Sequence, residues 1–592
     1  MRQNNVSNWE YDEVLNTMLF FAQRMDELLF HHSTDSYRYP VLSILGLCNE
    51  YISVYEDVEN ELINEKNLEH ILEEIVFRLK EDSIAINILS AEYKDRFVKN
   101  SGQWNRKTVY ENVIYMARKL NNRNYYNGVV DLLRNGINRN TDKRLVDRYS
   151  GIFIRVLIDM GYNENYIYNC VHDKFFHSKV SGTNSFEEFL KCFSFEAKTY
   201  EVYIGFSMDL SRLIPLFARL RAEDIEIVSV DKNSLPTGIK SKGQKTILCF
   251  KKVPGLDVYS AYESVREISK VIVNSFGYYN HIKNGIKIYG QVVNGNGKIT
   301  TISDKDLLKH RVSSLSQEES KINTEKMLDV IFSNIVNLKD ISRITEIHNS
   351  AIWANSASDS ILSLWSVLEK LSASEDGDKI NKVKAAIIPF LSSTYIEKIV
   401  KTCMLDIKRW DMDFFEQNVR YKEFNDLEST FAFLVLAEFE QNRKLLYTKT
   451  ELYPLLRYRI YFLNAQLKNT KGYMSLIREH EQRVEWQIHR IYRARNYIIH
   501  DGRIVHNSGE LVINLHTYVD IVFTKIIDLL SVSPYSNDAI EDVMIDHKLN
   551  SYIMREKTTN RSKEEIVSSE LKRYLYFDEK GGEKDGIDIH IN

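Results

Sequence analysis

Apolar residues recur at three- and four-residue intervals over most of this chain, the spacing that places them on one face of an α-helix. From about Trp9 to Phe195, segments such as VLNTMLFFAQRMDELLF, NLEHILEEIVFRLK and RLVDRYSGIFIRVLIDMGY carry that period and are separated by short polar turns. They predict packed helical hairpins in an N-terminal domain over 1–195, with no repeat period firm enough for a solenoid. Near Tyr200 the texture changes. TYEVYIGFSM, EDIEIVSVD, KTILCFKK and GIKIYGQVV are short runs rich in β-branched and aromatic residues and predict strands. LSRLIPLFARLRA follows the first run and YSAYESVREISKVIVNSF the third, both with helical spacing. The order β-α-β-β-α-β is that of a split βαβ, or ferredoxin-like, domain, expected over 196–300.

A polar stretch over 301–323 reads as a connector, and from Thr324 helical patterns return. They include EKMLDVIFSNIVNL, SDSILSLWSVLEKLS, ESTFAFLVLAEFEQNRKLLY and SLIREHEQRVEWQIHRIYRARNYIIH, then, after the loop DGRIVHNSGE, LVINLHTYVDIVFTKIIDLL. A helical domain is expected over 324–533. The polar remainder, 534–592, ends in DEKGGEKDG and is expected to be a peripheral tail. The fold class is therefore mainly α, with a small α/β domain in the middle.

Composition narrows this picture only slightly. The chain has 592 residues, 44% hydrophobic and 27% charged, with seven prolines. At ~100–200 residues per domain it should form three or four units and bury ordinary cores. Without an apolar run of ~18–20 residues or an apolar leader behind the first arginine, a cytoplasmic protein off the membrane is expected. The five cysteines lie apart with no CxxC pair and are expected to be reduced core thiols.

A net charge of −4 gives no global nucleic-acid signal. Locally, Arg443 to Arg503 holds thirteen Lys/Arg against five Asp/Glu, and 13 − 5 gives +8. That charge suits a phosphate-binding surface, or equally a solvated helical face.

Chemistry concentrates where the helix ends in Tyr492-Arg493-Ala494-Arg495-Asn496-Tyr497-Ile498-Ile499-His500. Val484, Ile488, Ile491 and Ile498 form an apolar stripe, and Arg495 falls on it, where an unpaired guanidinium would cost several kcal/mol. Such an arginine needs a partner or a task. His500 lies about 140° around the helix at roughly 100° per residue, while Asn496, four residues before it, shares its face and can orient the imidazole. Asp501-Gly502 should stop the helix there, and a helix C-terminus favours protonated imidazole. A proton carrier beside a cation is what RNA cleavage by its own 2′-hydroxyl requires, with no metal or other cofactor. An arginine and histidine that merely cap a helix end would show the same string.

Arg495-Asn496-Tyr497-Ile498-Ile499-His500 resembles the R-(polar)-x-x-x-H motif of the HEPN superfamily of helical domains, many of which are ribonucleases. Some 130 residues earlier, Ile361-Leu362-Ser363-Leu364-Trp365-Ser366-Val367-Leu368-Glu369-Lys370-Leu371 resembles the LW-x-x-LE-x-L helix of the ApeA-like branch. The resemblance covers roughly 324–533 and implies that Glu369 lies near the Arg495/His500 pair as a partner for Arg495. The alternative is a solvent-side carboxylate. Asp359 is expected to cap the start of that helix. The resemblance further implies a homodimer with two motifs across a shared groove. It also implies a toxic effector of prokaryotic anti-phage defence that cuts tRNA or other host RNA, its N-terminal half sensing a phage-derived trigger or restraining the nuclease.

Arg493 and Arg503 flank the motif as candidate phosphate contacts, and Tyr492 and Tyr497 as candidate stacking platforms for bases. His489 and His506 could join the site, with second-line or surface positions expected instead. The rival function is a HEPN module without catalysis that binds RNA or a nucleotide, or a dimerising scaffold. His31-His32 has no third ligand at metal spacing, NGNGK (Asn294 to Lys298) reads as a turn, and no metalloprotease, phosphate-loop or lipase motif is present.

Overall fold

A computed structural model describes the chain except residues 1–5, 11, 31–40, 141–142, 211, 213–225, 231–234, 242, 281–287, 294–296, 303–316, 334, 355, 374, 422, 504–506, 533–537, 562–563 and 578–592. His31-His32, His506, most of the first helix expected in the α/β domain, and most of the NGNGK turn lie outside the described residues. The chain divides into two compact units, each joining distant stretches: His32–Lys119 with His310–Asn592, and Asn5–His31 with Leu120–Lys309. The expected N-terminal domain over 1–195 is thus split between the two. Its 32–119 helices pair with residues hundreds of positions away, which local periodicity cannot reveal.

In the second unit, the helices Asn16–Leu29, Asn122–Asn138, Lys143–Asp159 and Glu164–Val171 pack their apolar stripes together. Phe21, Phe153, Phe175, Phe186 and Phe189 are buried there with ring centroids 5–6 Å apart, and edge-on pairs among them suit aromatic quadrupoles. The strands β1 (Lys198–Phe206), β2 (Glu226–Val230), β3 (Thr246–Gly255), β4 (Ile288–Val293) and β5 (Ile299–Ile302) form one antiparallel sheet in the order β2-β3-β1-β4-β5. The order of the first four strands is that of the expected split βαβ arrangement. β5 extends it as a hairpin partner of β4 and runs across the expected boundary at 300 into the stretch read as a connector. The helix Val258–Asn280 covers this sheet so closely that a Cβ at Gly290 of β4 would lie 1.9 Å from the Tyr262 ring. That approach requires a residue without a side chain.

In the first unit the motif helix, Thr470–Asp501, which at 32 residues is about 48 Å long, joins two hydrophobic cores. Its C-terminal half presents Val484, Ile488 and Ile491 of the expected stripe, with Ala494 and the partly buried Ile498, to a core built with Leu338–Trp353, Ala357–Leu371, Lys379–Ser393 and Ser508–Leu530. Its N-terminal half presents Tyr473, Met474 and Ile477 to a second core with Tyr395–Trp410, Asp426–Val435 and Pro454–Leu467.

The expected peripheral tail over 534–592 is corrected by this core. Helix Ile540–Asn560 buries Ile540 and Val543 in the first core and Met554 in the second, and Leu571, Tyr574, Leu575 and Phe577 are buried beside it. The polar composition of this stretch hid apolar residues spaced for two different neighbours. The described cysteines are free, four of them buried, and no described helix is long and apolar enough to cross a membrane.

Candidate functional site

Two helices set the site. The Trp365 helix, Ala357–Leu371, is capped by Ser356, whose Oγ accepts the Asp359 N–H at 3.1 Å and donates to Asp359 Oδ2 at 2.7 Å. Asp359 therefore works at the cap, away from any chemistry. Ile361, Trp365 and Leu368 are buried on one face, and Glu369 lies at its edge as the spacing predicts. There Trp365 Nε1 donates to Glu369 Oε1 at 2.9 Å. The buried indole fixes the carboxylate, a role no local pattern in the sequence announced.

Across from it, Arg495 Nη2 stands 3.6 Å from the same Glu369 Oε1, and Nη1 donates to Asn496 Oδ1 at 3.1 Å. The guanidinium is mostly buried, so the carboxylate relieves the cost of placing it on an apolar stripe. Asn496 spends its carbonyl on Arg495, whereas the sequence pointed it at His500. Five residues beyond Arg495, His500 is exposed in the last turn, and among the described residues no hydrogen bond or ion pair reaches its ring. The helix stops where expected: Gly502 adopts φ +61° and returns its N–H to the Tyr497 carbonyl, a left-handed closure that glycine makes without strain.

The flanking residues lie elsewhere than expected. Arg493 is buried and paired with Glu50 Oε1. Tyr497 is buried and donates to Asp57 Oδ2 at 2.5 Å, with burial and that carboxylate both pushing its phenol pKa up. Arg503 pairs with Asp57 Oδ1 at 3.0 Å and lies over the Tyr497 ring, 4.2 Å from its centroid. Next to them Arg490 makes two 2.9 Å bonds to Glu50 and one of 2.8 Å to Glu74. The acids come from helices Ile44–Glu59 and Lys66–Glu81. The assignment of Arg493, Arg503 and Tyr497 to RNA contact is therefore corrected in this arrangement, because acids more than 400 residues away in sequence already hold them.

Much of the local +8 is neutralised in the same way. Tyr492 packs on Trp365 with centroids 5.4 Å apart, so its ring is a core element. His489 is buried, stacked 3.3 Å from His70. Burial first, then His70, Lys384 and Arg493, lowers its pKa to about 2, which leaves it a neutral packing residue.

The structure thus brings together Arg495, Asn496, Glu369 and Trp365, leaves His500 exposed at the helix end with no partner among the described residues, and turns Arg493, Tyr497 and Arg503 to a second, acidic partner surface. The first group is a cation fixed by a carboxylate, and His500 is an imidazole exposed to solvent. Compared with protein-family models, curated proteins and solved structures, the chain matches none.

Proposed function

We propose that this protein is a metal-independent RNA endonuclease of the HEPN type. The observation that carries the reading is Arg495 held by Glu369 and Asn496 at the end of the motif helix, with His500 exposed one turn further on. In the reaction the substrate's 2′-hydroxyl oxygen attacks the adjacent phosphorus and the bond to the 5′-oxygen breaks. His500 moves the proton, taking it from the 2′-hydroxyl or giving it to the departing 5′-oxygen, and Arg495 balances charge on the phosphorane. The products are a 2′,3′-cyclic phosphate and a 5′-hydroxyl.

Glu369 acts on Arg495 alone, and Trp365 acts on Glu369; both are positioning residues. A homodimer that sets two copies of this helix end across one groove completes the site in this reading, and tRNA or other host RNA is the substrate class. The biological setting we propose is prokaryotic defence against phage, in the cytoplasm, with a phage-derived trigger.

In this reading the acids Glu50 and Asp57 restrain the enzyme, and Asp57→Asn, which loosens the hold on Tyr497 and Arg503, raises cutting above the wild-type level. The competing function is an RNA- or nucleotide-binding or dimerising module without chemistry. Purified full-length chain with end-labelled tRNA in EDTA separates them. Cutting that is lost in His500→Ala and in Arg495→Ala, with unfolding midpoints unchanged, supports the enzyme. Binding without cutting, in wild type and in Asp57→Asn, supports the module.

A further inference from the structure

Outside that site, a second cluster joins two helices of the first unit. His348 projects from Leu338–Trp353, and His516 and Asp520, four residues apart on one helical face, project from Ser508–Leu530. His348 Nε2 lies 2.8 Å from Asp520 Oδ1, and His516 Nδ1 lies 3.6 Å from Asp520 Oδ2. The two imidazole rings are near parallel, with centroids 4.9 Å apart. One donor nitrogen from each ring and a carboxylate oxygen fall within 4.8 Å of one another.

A tetrahedral ion with ligand bonds of about 2.0–2.2 Å sets its ligand atoms roughly 3.3–3.5 Å apart. The observed 2.8 and 3.6 Å nitrogen–oxygen distances lie on either side of that range, and the two ring nitrogens lie within 4.8 Å of each other. One carboxylate faces two imidazole rings, a set of two nitrogens and one oxygen that suits a transition metal. His516 is the more buried of the two.

We propose that His348, His516 and Asp520 form a transition-metal site, suited by its two imidazoles and one carboxylate to Zn²⁺, that fastens the helix Leu338–Trp353 to the helix Ser508–Leu530. Two nitrogens and an oxygen disfavour Mg²⁺ and Ca²⁺, which take oxygen sets. The 47% exposed Asp520 leaves the fourth position to water. The site is structural and stands independently of the ribonuclease reading. The held helix contributes only Ile341, Ile344 and Ala351 as buried residues of its own, so a clamp at its C-terminal half would matter to it.

The test uses the full-length chain stripped with EDTA and titrated with Zn²⁺ against a chromophoric chelator, alongside His348→Asn, His516→Gln and Asp520→Asn. His348→Asn retains a donor for Asp520 and guards against loss of fold, which circular dichroism checks. The expected result is one zinc per chain in the wild type, at least about tenfold weaker binding in each variant, and a Tm that rises with zinc in the wild type alone. Binding that is unchanged in all three folded variants, or a wild-type Tm indifferent to zinc, overturns the proposal and leaves a His–Asp ion pair. MgCl₂ at the same concentration should leave Tm unchanged; an equal rise with Mg²⁺ would also overturn it.

Discussion

Replacing Glu50 by alanine removes the acid of helix Ile44–Glu59 that pairs with both Arg490 and Arg493 of the motif helix. Burial alone would raise the pKa of this carboxyl, but the two guanidinium groups overcome it and hold the value down to about 2 against an ordinary 4.5. At about 1.4 kcal/mol per pH unit between those values, the pairing is worth roughly 3 kcal/mol of stability at neutral pH. Loss of one partner from a buried pair costs about 3–5 kcal/mol by a separate line of reasoning, since Arg493 would then be a buried charge without an acid. The two magnitudes agree.

Because the folded-state pKa is depressed, the contribution is complete above about pH 4.5 and is lost as pH falls through about 2. The assay is urea unfolding followed by circular dichroism at pH 7 and at steps down to pH 3, for wild type, Glu50→Ala and the exposed-site control Glu73→Ala. Glu50→Ala should lose about 3–5 kcal/mol at pH 7, with the gap to wild type narrowing below pH 4.5, while Glu73→Ala changes stability by less than about 0.5 kcal/mol. A loss under about 1 kcal/mol for Glu50→Ala, or a gap that does not narrow on acidification, would refute the reasoning.

Two further substitutions probe other parts of the account. Trp365→Phe keeps the buried ring but removes the N–H that fixes Glu369; it should cost about 1–3 kcal/mol and slow RNA cleavage in EDTA, and unchanged urea midpoint and rate would remove Glu369 from its positioning role. Met554→Ala, in the stretch whose composition suggested a peripheral tail, empties a fully buried position and should cost about 2–5 kcal/mol by urea titration. A cost below about 0.5 kcal/mol would restore the peripheral description.

What was legible in the sequence was local. The period of Val484, Ile488 and Ile491, the edge position of Glu369, the stop at Gly502 and the split strand order all follow from spacing, and the structure has them. What was hidden depends on long-range partners. Glu50, Asp57 and Glu74 read as ordinary polar positions on amphipathic helices, yet they decide that Arg490, Arg493 and Tyr497 face inward and that Arg503 is held over the Tyr497 ring. The same blindness applies to Met554 and Tyr574, whose burial depends on elements they meet only after folding, and to His348, separated by 168 residues from His516.

The central claim rests on Arg495 and His500 acting together on a phosphodiester. Its most direct measurement is cleavage of labelled tRNA by the full-length protein in EDTA, with end-group analysis of the products. The account predicts 2′,3′-cyclic phosphate ends made by the wild type and none by folded His500→Ala or Arg495→Ala. Cutting that needs Mg²⁺ and survives both substitutions would contradict it.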